Sequence, residues 1–497
     1  MTQDLELSTL FNAMAIGDKF LFETVRKAIL SSLTDKDTIL YRQDILKDCI
    51  KNPTIVRNIY AIAEKTIERR KGTFFGIFTR YPGGILRDAI DLLQILMDML
   101  KELRNIADAH SDKFKSEGFT TLFAVLKKEL SDEYFANVHG HLSELKFKSG
   151  VLISAELGKG NNGKNYTLRK LPHKKQNWME RIIADYILPK LQDSKHAVLK
   201  RIFTQRTPAY TFYLHPRDES GARALTELRD RGIHLVANAL AQSADHILNF
   251  FKMLRTELAF YVGCLNLYEK LPDSAPISFP VPAPPDKRLH SFKGLYDISL
   301  TLTMERKVVS NDIDVACKEL VIITGANQGG KSTFLRSIGL AQLMMQCGMF
   351  VPAKSFSANI CEGIFTHYKR EEDIAMKSGK LDEELMRMSD IVDHITSNSL
   401  LLFNESFAAT NEREGSEIAR QIVTALLEKR IKVFFVTHLY EFAQSVYDRR
   451  MENIIFLQAE RQADGRRTFK LIEGEPLQTS FGIDVYKTIF GKIEEEL

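Results

Sequence analysis

The sequence predicts an α/β domain over residues 276–497, preceded by a mostly α-helical region that carries a small strand-containing insert. Three observations lead there. Apolar residues recur at three and four positions through most of the first 270 residues, the period of amphipathic helices. Short β-rich runs interrupt that period between Val151 and Leu214. Beyond a proline-rich stretch at 277–287, the pattern turns into strand, turn, helix, strand, helix. At 497 residues, 44% hydrophobic and 27% charged, the chain has too much apolar material for disorder and too much length for one ordinary core. Two or three domains are expected.

Residues 1–150 read as a helical core domain, clearest in ILRDAIDLLQILMDMLKELRNIAD. GTFFGIFTRYPGG, residues 72–84, breaks the helical period with glycines and a proline. It reads as a loop tucked onto the bundle by Phe74, Phe75 and Phe78, or as a ligand-contacting hairpin. Residues 151–215 hold the insert, with VLISAEL, NYTLRK and AYTFYL as strand candidates around the turn-formers GKGNNGKN. Lys159, Lys164, Arg169, Lys170, Lys174 and Lys175 lie near Trp178 there. Such a mixture reads first as a solvated hairpin tip, and alternatively as a surface that tracks a phosphate backbone.

Residues 216–275 form the next segment, proline-free between Pro216 and Pro272 and helical in period throughout. A continuous helix of that length acts as a lever on the order of 70 Å long. Gly232 and Gly263 are its expected bending points, since glycine costs up to about 1 kcal/mol in a helix interior. The four prolines of ISFPVPAPPDK then end the helix and read as a linker, which sets a domain boundary near residue 275.

Charge and cysteine usage limit the partners. A net charge of +4, from 68 basic against 64 acidic residues, makes any nucleic-acid surface a local patch. Cys49, Cys264, Cys317, Cys347 and Cys361 lack the spacing of a zinc site or disulfide framework and read as small buried hydrophobes in a reducing cytoplasm. The N-terminus carries acidic residues where a signal peptide carries basic ones, and no apolar run reaches the roughly 18 residues of a bilayer span. A cytoplasmic chain without a membrane partner is expected.

The chemistry is concentrated in the last 180 residues. Leu320–Thr324 is a buried β run feeding Gly325, Ala326, Asn327, Gln328, Gly329, Gly330, Lys331 and Ser332, with Thr333 and an apolar helix following. This is the G-x-x-x-x-G-K-[ST] pattern in its strand-to-helix context. A triphosphate needs inward-turned N–H groups on a short loop, so glycines at 325, 329 and 330 serve where a Cβ would block approach or forbid positive φ. The helix supplies its positive dipole end. Lys331 is expected to reach the β and γ phosphates of ATP, and the Ser332 hydroxyl to ligate Mg²⁺. A second run, Ser399–Phe403, ends in Asn404 and Glu405. Glu405 is the candidate base for the attacking water. Asn404 stands where an aspartate is expected, keeping an acceptor near the metal but losing the charge, so hydrolysis is expected to be slow. A third run, Lys432–Val436, leads to Thr437 and His438. His438 lies on the strand edge where open α/β sheets bind ligands, and is a candidate γ-phosphate sensor.

With these residues in view, TGANQGGKST resembles the phosphate loop of the MutS family of DNA mismatch-repair and recombination proteins, and FLRSIGLAQLMMQCGMFVPA, LLFNESFAATNEREG and FFVTHLYEFAQ are similar to the same family. The resemblance is close over about 275–490 and looser over 1–271. It implies a P-loop ATPase domain of ABC type that pairs with a second copy to sandwich ATP, joined by levers to a DNA-embracing clamp. It implies phosphate contacts from Asn327 and Lys331, metal contacts from Ser332 and Asn404, a base in Glu405 and a switch histidine in His438. In three places the chain departs from the family. Asn404 replaces the aspartate; Ser378 and Gly379 are followed by Lys380 and Leu381 where the family carries a serine-threonine pair after a glycine; and neither a mismatch-reading N-terminal domain nor a nuclease-like tail is seen. The expectation is a MutS-related paralogue, a homodimeric ATP-switched clamp on mismatched or branched DNA. The alternative is a slowly hydrolysing, nucleotide-gated scaffold that binds a protein partner.

Overall fold

Asp18 and Asp35 each precede an apolar-periodic run, and an oxygen acceptor there satisfies helix N–H groups that lack an intrahelical partner. In a computed structural model of the chain, Asp18 accepts from the amides of Phe20 and Leu21, and Asp35 from that of Thr38. The structure describes residues 1–72, 81–148, 150–161, 163–169, 214–215, 217–304, 308–370, 379–462 and 465–478. The helices in order are α1 Leu7–Ala15, α2 Lys19–Leu30, α3 Lys36–Lys51, α4 Pro53–Gly72, α5 Pro82–His110, α6 Glu117–Glu129, α7 Asp132–Leu145 and α8 Glu219–Lys270. Strands β1 Leu152–Leu157 and β2 Gly163–Arg169 precede α8 and form an antiparallel hairpin. The candidate strand AYTFYL except Leu214, together with Trp178, Lys170, Lys174, Lys175 and most of the 72–84 loop, lies outside the described residues.

The chain forms two compact units that do not follow chain order. One comprises Met1–Ala61, Asn105–Lys127 and Met253–Leu497; the other comprises Ile62–Arg104 and Lys128–Lys252. In the second, the period read from sequence becomes a buried stripe on α5: Leu86, Ile90, Leu93, Leu96, Leu100 and Leu103. Arg70 and Asp245 form an ion pair there at 3.4 Å.

The 52 residues of α8 correspond to about 78 Å of rise. The helix runs through both glycines expected to bend it, and packing gives the reason. A Cβ on Gly232 would lie 2.5 Å from Ile153, and one on Gly263 would lie 2.7 Å from Val25. Both glycines admit a close neighbour, so contact with that neighbour offsets their poor helix propensity.

In the first unit the proline-rich stretch is pinned rather than free. Ser278 bridges Val351, Ala283 bridges Asn359, and Gln43 donates to the Pro280 carbonyl at 2.8 Å. After it come β3 His290–Leu295, α9 Ile298–Thr303, β4 Asn311–Asp314, β5 Leu320–Gly325, α10 Lys331–Gln346, β6 Ser355–Ala358, β7 Ile364–Tyr368, α11 Lys380–His394, β8 Leu400–Asn404, α12 Glu412–Glu428, β9 Lys432–Val436, α13 Tyr440–Tyr447, β10 Ile454–Arg461 and β11 Arg467–Glu473. The main sheet runs β11-β10-β5-β9-β8-β7, parallel except for the β10–β11 pair, and a small antiparallel sheet runs β4-β3-β6. Strands β5 and β9 are buried along their whole length, as parallel strands covered on both faces must be.

Long-range contacts bring the N-terminus into this unit. Arg336 of α10 bonds Asp297 at 2.5 Å and also pairs with Glu6, while Thr366 of β7 donates to Asp4 at 2.6 Å. Leu5 packs where Gly339 of α10 has no side chain. Among the cysteines, Cys49, Cys264, Cys347 and Cys361 are buried as expected, but Cys317 is exposed. It sits at φ 58 in the turn before β5, where the chain reverses at the surface.

Candidate active site

Strand β5 ends at Gly325, whose φ of 108° is open to glycine and costly for other residues. The chain reaches α10 through Gly330 at φ 89°, the residue preceding the helix. Close approach explains the glycines beyond φ. A Cβ at Gly325 would lie 2.9 Å from the backbone nitrogen of Ala459, and one at Gly329 would lie 2.7 Å from the Ala459 side chain and 2.8 Å from the Ala326 carbonyl oxygen. The loop is thus wedged against β10, with the first turn of α10 presenting amides that have no intrahelical acceptor.

Lys331 is 5% exposed, and its ammonium donates to the carbonyls of Gly325 and Ala326 at 3.0 Å each. Burial lowers its pKa, and nearby Glu405 opposes that shift. The Ser332 hydroxyl donates to Asn404 Oδ1 at 3.0 Å, because β8 lies two strands from β5 and ends level with it. Glu405 follows in a left-handed conformation, φ 53°. His438, just beyond β9, places Nε2 at 3.1 Å from Glu405 Oε1. That hydrogen bond holds the Glu405 carboxyl below the usual carboxylate range, against the upward pull of burial. The carboxylate is therefore ionised and oriented at neutral pH.

A cavity of about 520 Å³ opens over this arrangement. Asn327, Gln328, Gly329, Gly330, Lys331, Ser332, Thr333 and Glu405 line its polar side; Leu295, Tyr296, Leu300, Met304, Val309 and Phe469 line the apolar one. Gly325, Ala326, Asn404 and His438 stand behind that lining, joined to it by the bonds just given. Ser378 lies outside the described residues; Gly379 precedes α11, and Lys380 and Leu381 begin it. Sequence reasoning missed the apolar wall, Phe469 above all. It also missed Arg467, whose Nε donates to the Asn327 carbonyl at 3.3 Å. The only sequence signal for either was the β-rich run RTFKLIE, which carries no motif.

A Ser332 hydroxyl beside an amide oxygen, at the mouth of a glycine cradle that a Cβ would fill, suits a phosphate with a hard cation. Among the described residues no cluster of three or more histidine, cysteine or acidic side chains is arranged to hold a metal alone. No helix among them is long and apolar enough to cross a membrane.

The class follows from this geometry together with a family match. Residues 321–492 match MutS domain V, an ATPase domain, so the α/β part of the chain is a domain of that type. The helical part matches the MutS2 N-terminal domain, over residues 34–186 and 183–274. The chain belongs to the MutS family. Similar curated proteins include the DNA mismatch repair protein MutS of Clostridium kluyveri, 32% identical over 227 residues, 42% of this chain and 25% of that one. Those of Thermus aquaticus and Clostridium botulinum strain Hall are each 34% identical, over 36% of this chain and 22% and 20% of their own lengths. The chain therefore matches about a quarter or less of the length of these relatives.

Proposed function

We propose that this protein binds ATP with Mg²⁺ through residues 325–333, hydrolyses it, and uses the nucleotide to switch a dimeric clamp on mismatched or branched DNA. The observation that carries the reading is the convergence of Lys331, Ser332, Asn404, Glu405 and His438 at the carboxyl ends of β5, β8 and β9. It accords with a P-loop domain of ABC type.

The residue roles follow from the chemistry of each group. The loop amides and Asn327 take the phosphates, and Lys331 exchanges its two loop carbonyls for phosphate oxygens, at little cost in hydrogen bonds. Ser332 and Asn404 would hold Mg²⁺, which when bound neutralises phosphate charge. Glu405, ionised and gripped by His438, orients the attacking water and accepts its proton. His438 would sense the γ-phosphate by way of Glu405, to which its Nε2 is bonded. The apolar wall around Tyr296, Leu300 and Phe469 takes a base of the size of adenine.

DNA as the partner is favoured by the family and by Lys159, Lys164 and Arg169 on the β1–β2 hairpin. Pairing of two heads accords with a site left open on one side. The decisive experiment is ATPase activity measured with duplex, mismatched, branched and single-stranded DNA at two salt concentrations. A several-fold stimulation by one structure, weakened by salt, is expected. Turnover indifferent to every DNA, with no salt-sensitive binding, would overturn the DNA half of the reading.

A further inference from the structure

Two of the three residues after β8 hold an uncommon backbone. Glu405 lies at φ 53° and Phe407 at φ 63°, both left-handed and neither a glycine. Such conformations cost on the order of 1 kcal/mol or more each and persist where the surroundings over-determine them. The bonds that fix them identify what sets the position of the Glu405 carboxylate.

The Glu405 amide donates to the Val436 carbonyl at 2.9 Å. The next two residues are held from elsewhere. The Phe407 amide donates to the carboxylate of Glu384, on α11, at 2.7 Å. The Ser406 hydroxyl lies 2.7 Å from Nδ1 of His367, on β7, and 2.6 Å from the carbonyl of that same histidine. His367 Nε2 lies 3.0 Å from the main-chain carbonyl of Glu384. That carbonyl can only accept, so Nε2 carries the proton, and the single hydroxyl proton of Ser406 is shared between the His367 carbonyl and Nδ1. The opposite tautomer would set two lone pairs against each other at 3.0 Å. His367 and Ser406 are wholly buried and Glu384 is 5% exposed; the imidazole stacks on Phe407 with ring centres 5.3 Å apart. A methyl group on Gly415 would lie 2.4 Å from the Phe407 carbonyl oxygen, closing the other side. One residue of α11 thus grips the segment twice: through its carboxylate at Phe407, and through its carbonyl, by way of His367, at Ser406.

We infer that Glu384, His367 and Ser406 are positioning residues for the hydrolytic base: they clamp the two residues that follow Glu405, opposite the bond from its own amide to Val436, and they tie its aim to helix α11. The inference rests on the reading of Glu405 as the base. None of the three residues lines the nucleotide cavity, so their loss should act on turnover and leave nucleotide affinity in place.

The test uses the full chain, with steady-state ATPase kinetics, binding of a fluorescent ADP analogue and thermal melting. Glu405→Gln is the reference and should abolish turnover while retaining nucleotide. Ser406→Ala and Glu384→Ala are expected to lower kcat about ten- to hundredfold, the scale of a base misplaced by a fraction of an ångström to 1 Å, with KM and ADP-analogue affinity within about threefold of the parent. Glu384→Gln keeps an oxygen acceptor for the Phe407 amide and should recover kcat to within about threefold. Parental kcat in Ser406→Ala and Glu384→Ala, with Glu405→Gln inactive, would overturn the inference. So would a joint fall of kcat, affinity and melting temperature that Glu384→Gln does not rescue, since that marks a merely structural role. Should Glu384→Ala fail to fold, Ser406→Ala and Glu384→Gln decide the matter. Parental turnover in Glu405→Gln would instead remove the base assignment itself, a distinct failure.

Discussion

A single methyl group at Gly329 is a direct probe of the wedge between the phosphate loop and β10. In Gly329→Ala the new carbon would sit 2.7 Å from the Ala459 Cβ and 2.8 Å from the Ala326 carbonyl oxygen, where apolar atoms settle at about 3.5–4.0 Å. Neither neighbour is the free end of a long side chain; one is a methyl on a sheet strand and the other is the loop's own backbone. The loop must therefore move by close to an ångström, at a cost of about 1–3 kcal/mol. The lost flexibility of the unfolded chain returns about 0.4–1 kcal/mol, leaving a net destabilisation of about 1–2 kcal/mol. Displaced amides no longer converge on a phosphate, so ADP affinity should fall about tenfold or more. Gly140→Ala serves as the control. It lies inside α7 with open space where its Cβ would go, and should be neutral or stabilising by up to about 1 kcal/mol. Urea unfolding and fluorescent ADP titration measure both quantities. If Gly329→Ala matched the parent in midpoint and affinity, the loop would not be wedged as described, and the cradle argument would fail.

Further outcomes follow from the same geometry. Asn404→Asp keeps the acceptor for the Ser332 hydroxyl and adds a charge beside the proposed cation, so the Mg²⁺ concentration for half-maximal turnover should drop about tenfold; an unchanged or raised midpoint would count against a metal role for Asn404. Burial keeps His367 neutral down to about 4, against 6.5 for a free side chain. The unfolded chain therefore takes up a proton first, and stability falls as pH drops below 6.5, by up to about 3 kcal/mol near pH 4. Urea midpoints at pH 7.5 and 4.5 should show a steeper loss for the parent than for His367→Gln; equal slopes would contradict the burial argument.

What was legible in the sequence was local. The loop at 325–332 announces itself because phosphate chemistry needs glycines, a lysine and a hydroxyl at fixed spacing, and the runs at 399–403 and 432–436 show as buried strands because parallel strands are apolar on both faces. The long helix was legible from its period and from the prolines that bracket it. The rest was set by contacts between distant positions. Nothing near residues 4–6 signals that Asp4 and Glu6 meet Thr366 and Arg336. That α8 continues unbroken through Gly232 and Gly263 was decided by Ile153 and Val25, which lie far from them in sequence. Phe469 and Arg467 join the site from β11, roughly 140 residues after the loop, because β10 and β11 return to the same sheet. The grip of Glu384 on Phe407 likewise exists only once α11 packs beside β7.

Lys331→Ala, titrated with a fluorescent ADP analogue in the presence of magnesium, tests the central claim most directly. The ammonium is buried among loop carbonyls at the head of α10, and a charge-assisted contact to phosphate contributes about 1.5–3 kcal/mol. The account predicts a loss of affinity of about ten- to a hundredfold, with the melting temperature of the nucleotide-free protein little changed. Binding as tight as that of the parent would contradict it.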